Sequence, residues 1–293
     1  MKLLILGATG MLGSQLLRSC LNRGIDVSVL VRNKKLLHEN FPELKEESIY
    51  LLDDIKDFEK LEKQIAAIGP QVVVNCIGIV KQSQLANNAF ESISINTYLP
   101  HLLSQYAGKY QFQLIHISTD CVFDGAKGNY SETDNSNATD LYGKSKYLGE
   151  VYTDHAVTLR TSIIGHELTA TTFGLLEWFL SQQHKTNGYS KAIFSGFTTN
   201  ELSKIILDVV IPQKLTGSVY NVAAAPISKY DLLKIMAVVY KKDIEIVPSE
   251  ALVIDRSLNG SKFKSVTGYS VPSWPAMISE MYSDYSASSN RKK

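Results

Sequence analysis

A tyrosine and a lysine four residues apart are the first side chains in this sequence that could do chemistry together. Tyr142 and Lys146 lie on one face of a predicted helix. An ammonium close to a phenol lowers the pKa of that phenol, which can then donate a proton to a carbonyl that is being reduced. The same lysine could hold the ribose hydroxyls of a nicotinamide cofactor. The pair therefore indicates carbonyl reduction.

The spacing Tyr-x-x-x-Lys is not specific by itself, so its position in the chain has to decide. Tyr230 and Lys234 have the same spacing, but no strand ending in hydroxyl side chains precedes them. Tyr142 instead follows a predicted strand that ends in Ser118 and Thr119. One of these two hydroxyls could hydrogen-bond the carbonyl oxygen and orient it. We therefore expect the chemistry at Tyr142.

A glycine-rich turn directly follows the first predicted strand and opens the first predicted helix. Gly7 permits a tight turn, Gly10 lets the backbone approach a pyrophosphate, and Gly13 allows close packing of helix on strand. The N–H groups and the dipole of a helix N-terminus attract phosphate. The turn predicts a dinucleotide site formed by Gly7, Thr9, Gly10, Met11, Leu12 and Gly13.

The residues after the second predicted strand indicate which dinucleotide binds. An acidic residue at this place accepts a hydrogen bond from the ribose of NAD, whereas an arginine accommodates the 2′-phosphate of NADP. The chain has Arg32-Asn33-Lys34-Lys35 here and no carboxylate. NADPH is therefore the predicted cofactor, bound through Arg32, with NADH as the alternative.

These motifs must be held by regular elements, and two periodicities alternate through the first half of the chain. Unbroken aliphatic runs, typical of strands buried on both faces, predict strands at Leu3–Leu6, Val27–Val31, Ile49–Leu52, Val72–Val74, Leu114–Ile117 and Val157–Leu159. Apolar residues at helical spacing predict helices at Met11–Asn22, Phe58–Ile68, Phe90–Tyr106 and Leu141–Tyr152. The alternation predicts an α/β protein with a Rossmann-type doubly wound parallel sheet.

After about residue 165 the alternation ends. Helices are predicted at Phe173–Gln183, Glu201–Ile211, Lys229–Tyr240 and Pro275–Tyr285, and a strand at Gly217–Val222. We predict an NADP-binding Rossmann domain over residues 1–168 that also recruits about 191–226. A smaller, interleaved C-terminal substrate lobe is predicted over 169–190 and 227–285, and a disordered tail over 286–293.

Composition excludes several classes of function. The 293 residues are 44% hydrophobic and 20% charged, which is typical of a globular protein. A net charge of +1 argues against a nucleic-acid partner held by general phosphate attraction. The three cysteines form no CxxC pair and indicate a reducing, cytoplasmic compartment. No apolar stretch approaches the roughly 20 residues of a membrane span, and no histidine spacing predicts a metal site.

Together these motifs resemble the extended short-chain dehydrogenase/reductase family. Ser-Thr-Asp-x-Val-Phe-Asp-Gly at 118–125, Tyr-Gly-x-x-Lys-x-x-Gly-Glu at 142–150 and Leu-Arg-Thr-Ser at 159–162 resemble its dTDP-4-dehydrorhamnose reductase branch. The likeness is strong over roughly residues 1–165. It implies NAD(P)H-dependent reduction of the 4-keto group of a nucleotide-linked 4-dehydro-6-deoxysugar, in deoxysugar and surface polysaccharide biosynthesis.

The resemblance also implies roles for individual residues. Thr119, Tyr142 and Lys146 would be catalytic, and Thr119, Asp120 and Tyr142 would bind the substrate. Further cofactor contacts are implied at strand ends and on the helix of Tyr142, namely Asp54, Ile55, Cys76, Ile77, Gly78, Ser118, Tyr142 and Lys146. The expected partners are a nucleotide-sugar substrate and, as an option, a second copy of the chain in a homodimer.

Two other functions fit the same residues. An epimerase of the same superfamily would use the same tyrosine and lysine while recycling tightly held NAD. A non-catalytic NADP-binding regulatory subunit could also have this sequence, because a fold does not dictate a function. A dehydratase fits less well, because it needs a second acid/base residue after Asp120, where this chain has Cys121.

Overall fold

A computed structural model of the chain describes residues 1–81, 83–169 and 174–290. Its strands, numbered in chain order, are β1 (Lys2–Leu6), β2 (Asp26–Val31), β3 (Ile49–Leu51), β4 (Val72–Asn75), β5 (Gln113–Thr119), β6 (Ala156–Thr161), β7 (Ile163–Ile164), β8 (Lys185–Tyr189), β9 (Ala192–Phe194), β10 (Phe197–Thr198), β11 (Ser218–Asn221), β12 (Ile227–Ser228), β13 (Glu245–Ser249) and β14 (Ile254–Asp255). Its α-helices are α1 (Met11–Asn22), α2 (Lys35–Asn40), α3 (Phe58–Ile68), α4 (Ala89–Ser92), α5 (Leu99–Tyr110), α6 (Leu141–Leu148), α7 (Leu175–Ser181), α8 (Thr199–Lys204), α9 (Lys229–Val239), α10 (Ser261–Thr267) and α11 (Trp274–Asn290).

The central sheet has seven strands in the order β3-β2-β1-β4-β5-β6-β11. All of its neighbouring strands pair in parallel. The strand order reverses between β1 and β4, and in open α/β sheets ligands bind in the crevice at the carboxyl ends of the strands beside such a reversal. The predicted doubly wound parallel sheet is confirmed.

Both faces of this sheet are buried. Along β1, Leu3 and Ile5 pack in the apolar cluster on one face, and Leu4 and Leu6 pack in the cluster on the other. Alternate side chains of a strand point to opposite faces, so a strand buried on both sides is aliphatic throughout. For this reason the aliphatic runs predicted the strands of the central sheet to within two residues at each end.

Two of the four helices predicted in the first half of the chain differ from the observed ones. The helix expected at Phe90–Tyr106 is a continuous helical segment in which a π-helical turn over Ile93–Tyr98 joins α4 to α5. The helix expected to reach Tyr152 ends at Leu148. Gly149 follows it and packs so closely on the backbone of Asn96 that a side chain would collide there.

The C-terminal half contributes short strands that the sequence analysis missed. β9 pairs with β12 and with β14, and we call these three strands the small sheet. Two further pairs are β8 with β13 and β7 with β10. The start of the predicted helix Phe173–Gln183 lies outside the described residues. α11 continues to Asn290 and so includes residues 286–290 of the predicted tail, whereas residues 291–293 lie outside the described residues.

The small sheet is attached to the segment that follows β5. We call residues 120–130 the β5 loop. The backbone N–H of Asp255 donates to the carbonyl of Gly125 at 2.8 Å, and that of Tyr130 donates to Ser257 at 2.8 Å. Gly128 lies so close to the carboxylate of Asp255 that it leaves no room for a side chain. The β5 loop and β14 therefore hold each other in place.

Candidate active site

The three predicted catalytic side chains meet at the carboxyl end of β5. The buried ammonium of Lys146 donates to the backbone carbonyl of Ile117 at 2.7 Å. One turn earlier on α6, the hydroxyl of Tyr142 is hydrogen-bonded to the side chain of Thr119. Asp140 fixes the start of α6, because its carboxylate accepts from the N–H of the third following residue at 2.8 Å.

Burial sets the protonation state of this pair. It raises the pKa of the Tyr142 phenol, and the hydrogen bond with Thr119 opposes that rise. Burial also lowers the pKa of Lys146 to about 8, against the opposing charge of Glu150. The prediction that Lys146 lowers the pKa of Tyr142 is therefore wrong in this structure. A high pKa keeps the phenol protonated at neutral pH, which is the form that a proton donor needs.

The glycine-rich turn has the backbone geometry that a pyrophosphate site needs. Gly7 has a φ of +84°, a conformation that glycine adopts without strain. Gly13 lies directly against the carbonyl of Gly7 and leaves no room for a side chain. Gly10 precedes α1, and no side chain among the described residues caps this helix. The N–H groups of the first turn, at the predicted contacts Met11 and Leu12, are therefore available to an anion.

The end of β4 lies between the glycine-rich turn and the lysine. A Cβ built on Gly7 would lie 3.1 Å from the backbone of Cys76 and from the side chain of Ile77. A Cβ built on Gly78 would lie 3.9 Å from the ammonium of Lys146. The predicted phosphate turn, with Thr9 inside it, therefore lies beside the end of β4, and the residues that follow β4 lead to the predicted catalytic lysine.

Arg32 stands at the end of β2 with its side chain exposed. Within the described ranges, no carboxylate lies within 4.0 Å of its guanidinium, whereas the next two cations of the loop pair with Glu46 and Glu39. Among the described residues, Arg32 is therefore the cation at positions 32–35 that has no ion-pair partner. Beyond β3, the carboxylate of Asp54 accepts from the backbone of Lys56 at 2.9 Å. Ile55 packs against the core next to it.

Ser118 belongs to a buried ion pair beneath the site. Its hydroxyl donates to Glu150 at 2.8 Å. Glu150 in turn accepts two hydrogen bonds of 2.7 Å from the guanidinium of Arg160. The side chains of the pair are only 3% and 4% exposed. The sequence analysis missed this pair, although an arginine inside a buried strand requires a buried partner and could have signalled it.

Two cations from the C-terminal half also approach the site, and the sequence analysis missed both. The charges of Lys229 and Arg256 act on the carboxylate of Asp120, which is 8% exposed. Burial raises the pKa of Asp120, and Arg256 opposes that rise. No local pattern could have found these cations, because they follow Asp120 in sequence by more than a hundred residues.

Two other properties concern the described residues only. No group of three or more His, Cys, Asp or Glu side chains among them could hold a metal ion. No helix in the described ranges combines the length and the apolar composition needed to cross a bilayer.

A glycine turn after the first strand of such a sheet, with a tyrosine and a buried lysine one helical turn apart at the end of β5, is typical of one class, the extended short-chain dehydrogenase/reductases. Within that class, a family model described as RmlD substrate binding domain matches residues 1–286. The chain belongs to this family.

Known proteins similar to the chain include enzymes and a subunit. The dTDP-4-dehydrorhamnose reductase of Aggregatibacter actinomycetemcomitans is 30% identical over 166 residues, which cover 55% of this chain and 51% of that protein. Methionine adenosyltransferase 2 subunit beta of Danio rerio is 30% identical over 149 residues, 51% of this chain and 42% of that protein. The chain thus spans about half the length of the curated relatives it matches.

A solved structure resembles the chain over nearly its whole length. The dTDP-4-dehydrorhamnose reductase of Bacillus anthracis, in complex with NADP, has a TM-score of 0.78 with this chain. It is 20% identical, and the match covers 97% of this chain and 99% of that one. This likeness shows the fold.

Proposed function

We propose that the chain is an NADPH-dependent reductase of the 4-keto group of a nucleotide-linked 4-dehydro-6-deoxysugar, in deoxysugar and surface polysaccharide biosynthesis. The observation that carries the proposal is the position of the Tyr142 phenol, hydrogen-bonded to Thr119 and one turn of α6 from the buried Lys146. The relatives named as dTDP-4-dehydrorhamnose reductases support the substrate class. The similar structure from Bacillus anthracis was solved in complex with NADP, which supports NADPH as the cofactor, with NADH as the alternative.

The glycine-rich turn and the start of α1 suit the pyrophosphate of a dinucleotide. Gly7 and Gly13 bring the backbone close to the place of a pyrophosphate, and α1 begins there without a side-chain cap. Arg32 would hold the 2′-phosphate, and Lys146 would hold the nicotinamide ribose. Thr9, Asp54, Ile55 and the segment 76–78 would supply further contacts to the cofactor. The hydroxyl of Ser118 already donates a hydrogen bond to the carboxylate of Glu150. Ser118 would therefore contact the cofactor through its backbone.

The proposed reaction converts a ketone to an alcohol. The chemistry that a bound nicotinamide supplies is hydride transfer to the carbonyl carbon. Tyr142 donates its proton to the carbonyl oxygen as the negative charge develops there, and Thr119 hydrogen-bonds the same oxygen. Lys146, the buried cation one turn along α6 from Tyr142, would hold the ribose. Asp120 lies beside Thr119, where it would contact the sugar.

The loop after β2 favours the reductase over the epimerase. An epimerase of this superfamily would recycle tightly held NAD. The loop instead has Arg32 and no carboxylate, which favours the 2′-phosphate of NADP. The regulatory-subunit alternative would leave Thr119, Tyr142 and Lys146 without a use.

The direct test is to incubate the protein with NADPH and a panel of nucleotide-linked 4-keto-6-deoxysugars while following the absorbance of the reduced nicotinamide. We expect NADPH to be consumed with at least one dTDP- or UDP-linked sugar, and not without sugar. Tight NADPH binding without consumption across the panel would favour a regulatory subunit. Interconversion of sugars with bound NAD, without net consumption, would favour an epimerase.

Replacing Arg32 by alanine tests the cofactor preference. We expect the Kd for NADPH to rise roughly ten- to hundredfold, because a charge-assisted contact to the 2′-phosphate is lost. The Kd for NADH, measured by fluorescence titration, should change little. Lys34→Ala in the same loop is the matched control, because that ammonium already pairs with Glu46. Equal weakening of both cofactors by Arg32→Ala would refute the assignment.

We also propose a cytoplasmic location. Cys20, Cys76 and Cys121 are all free thiols in the structure. Proteins of oxidising compartments usually pair their cysteines, so three free thiols support a reducing compartment. Cell fractionation tests this, and recovery of the protein outside the cytoplasm would contradict it.

A homodimer is the proposed assembly. The helical segment from α4 to α5 packs beside α6. Both carry exposed apolar side chains, among them Phe90 at 70%, Leu148 at 59% and Tyr98 at 52% exposure. Exposed apolar patches on soluble proteins often mark contacts between chains. Light scattering should give twice the chain mass of 32.5 kDa, and Phe90→Asp should shift it towards one chain.

A further inference from the structure

The buried ammonium of Lys146 has a buried carboxylate close to it on the same segment of the chain. Lys146 lies in α6, and Glu150 follows it by four residues, just after the helix ends. Both side chains are buried. Among the described residues, Glu150 is the carboxylate whose charge acts on Lys146. An ammonium removed from water holds its proton less firmly unless an opposite charge compensates it.

Glu150 and Lys146 also contact neighbouring residues at the carboxyl end of β5. The hydroxyl of Ser118 donates to the carboxylate of Glu150 at 2.8 Å. The carbonyl of the preceding residue, Ile117, accepts from the ammonium of Lys146 at 2.7 Å. The carboxylate therefore fixes the stretch of backbone that anchors the ammonium, because any shift of Ser118 would move the carbonyl of Ile117 with it.

Two other titratable groups interact with Lys146, and neither carries a negative charge near neutral pH. Burial raises the pKa of the Cys76 thiol to about 12. Burial and the charge of Lys146 hold the pKa of His116 well below its usual range. Arg160 shares the carboxylate of Glu150 through two hydrogen bonds, but a guanidinium does not lose its proton in proteins. Lys146 is therefore the cation of this cluster that can become neutral, and Glu150 opposes that change.

We propose that Glu150 is a positioning residue of the active site, which keeps the ammonium of Lys146 charged and anchored at the end of β5. The inference rests on the proposed function, in which Lys146 holds the ribose of the nicotinamide. A charged ammonium has three N–H donors, of which Ile117 takes one and the ribose would take the others. A neutral amine has fewer donors and no charge. Glu150 thus acts on the cofactor through Lys146 and not by direct contact.

The protonation of Lys146 can be followed directly in the cofactor-free protein by carbon-13 NMR of labelled lysine side chains. The Lys146→Met variant assigns the signal, and the pH is varied through the pKa of Lys146, which is about 8. We expect Glu150→Gln to lower the midpoint of this titration by about one pH unit or more, because a nearby opposite charge is lost. The amide oxygen of the glutamine can still accept from Ser118, so the hydroxyl keeps a partner.

Two further variants separate the effect of charge from that of stability. Arg160→Met destabilises the fold but keeps the carboxylate, so its midpoint should lie at or above that of the wild type. The double variant Glu150→Gln, Arg160→Met should recover part of the stability and yet have a low midpoint, because it has no carboxylate. Asp154→Asn, at an exposed acid further along the same segment, is the matched control and should titrate as the wild type does. Thermal unfolding measures the stability of each variant.

An unchanged midpoint in Glu150→Gln, or a midpoint that follows the stability of the variants rather than the carboxylate, would overturn the proposal. Turnover tests the proposed function separately. If the midpoint falls but no keto sugar is reduced, the positioning role stands and the proposed reaction is wrong. If keto sugars are reduced and the midpoint does not fall, the reaction stands and the positioning role is wrong. In an active protein, the loss of kcat/KM at high pH should begin at lower pH in Glu150→Gln.

Discussion

Replacing Tyr142 by phenylalanine is expected to lower kcat by about 10²–10⁴-fold, the usual contribution of a general acid. The phenylalanine ring keeps the packing at the end of β5 but has no proton to donate to the carbonyl oxygen. Because the proton is transferred in the transition state, the Kd for NADPH and the KM for the sugar should change little. Steady-state kinetics and a cofactor titration on the same preparation measure both effects.

Tyr230→Phe is the control for this result, because Tyr230 and Lys234 repeat the spacing elsewhere. The ring of Tyr230 packs beside Gly188 of β8. Its variant should retain turnover near that of the wild type. If the two variants have the same turnover, or if Tyr142→Phe keeps full activity, the proposed proton transfer is wrong. Either result would support the hypothesis of a regulatory subunit.

Replacing Arg160 by methionine is expected to reduce the free energy of unfolding by about 3–5 kcal/mol, the usual effect of removing one partner of a buried ion pair. The loss arises because Glu150 would keep its charge in a place where its side chain is only 3% exposed. Ser118 alone could not compensate that charge with its single hydroxyl. Urea unfolding followed by circular dichroism measures the difference.

The double variant Arg160→Met, Glu150→Gln should recover part of this loss, because it removes the uncompensated charge. Lys63→Met, at an ion pair on the surface of α3 with Glu59, should change stability little. An equally small effect of Arg160→Met would show that water or another group reaches the buried carboxylate.

The central sheet could be predicted from the sequence because most of its strands contain a short aliphatic run that is buried on both faces, as Leu3–Leu6 and Val72–Val74 do. The small sheet could not, because its strands have two or three residues and their partners are far apart in the chain. A run as short as Ile227–Ser228 has no periodicity of its own. Its pairing is decided by tertiary contacts with β9.

The residues of the candidate site were likewise predicted only where they form local patterns. The glycine turn and the pair of Tyr142 with Lys146 are local patterns, so spacing alone identified them. The effect of Lys146 on the pKa of Tyr142 was predicted wrongly, because charge was weighed and burial was not. Lys229 and Arg256 were missed because the fold, rather than any motif, brings them to Asp120.

The contacts between the β5 loop and β14 have a consequence for the engineering of substrate specificity. The backbone N–H of Asp255 donates to the carbonyl of Gly125, and Gly128, which has no side chain, leaves the room that the carboxylate of Asp255 occupies. The conformation of each segment therefore depends on the other, although more than a hundred residues separate them in sequence. A chimera that takes its β5 loop from a homologue should therefore take β14 from the same homologue. If only one of the two segments were replaced, the contacts between them would be lost.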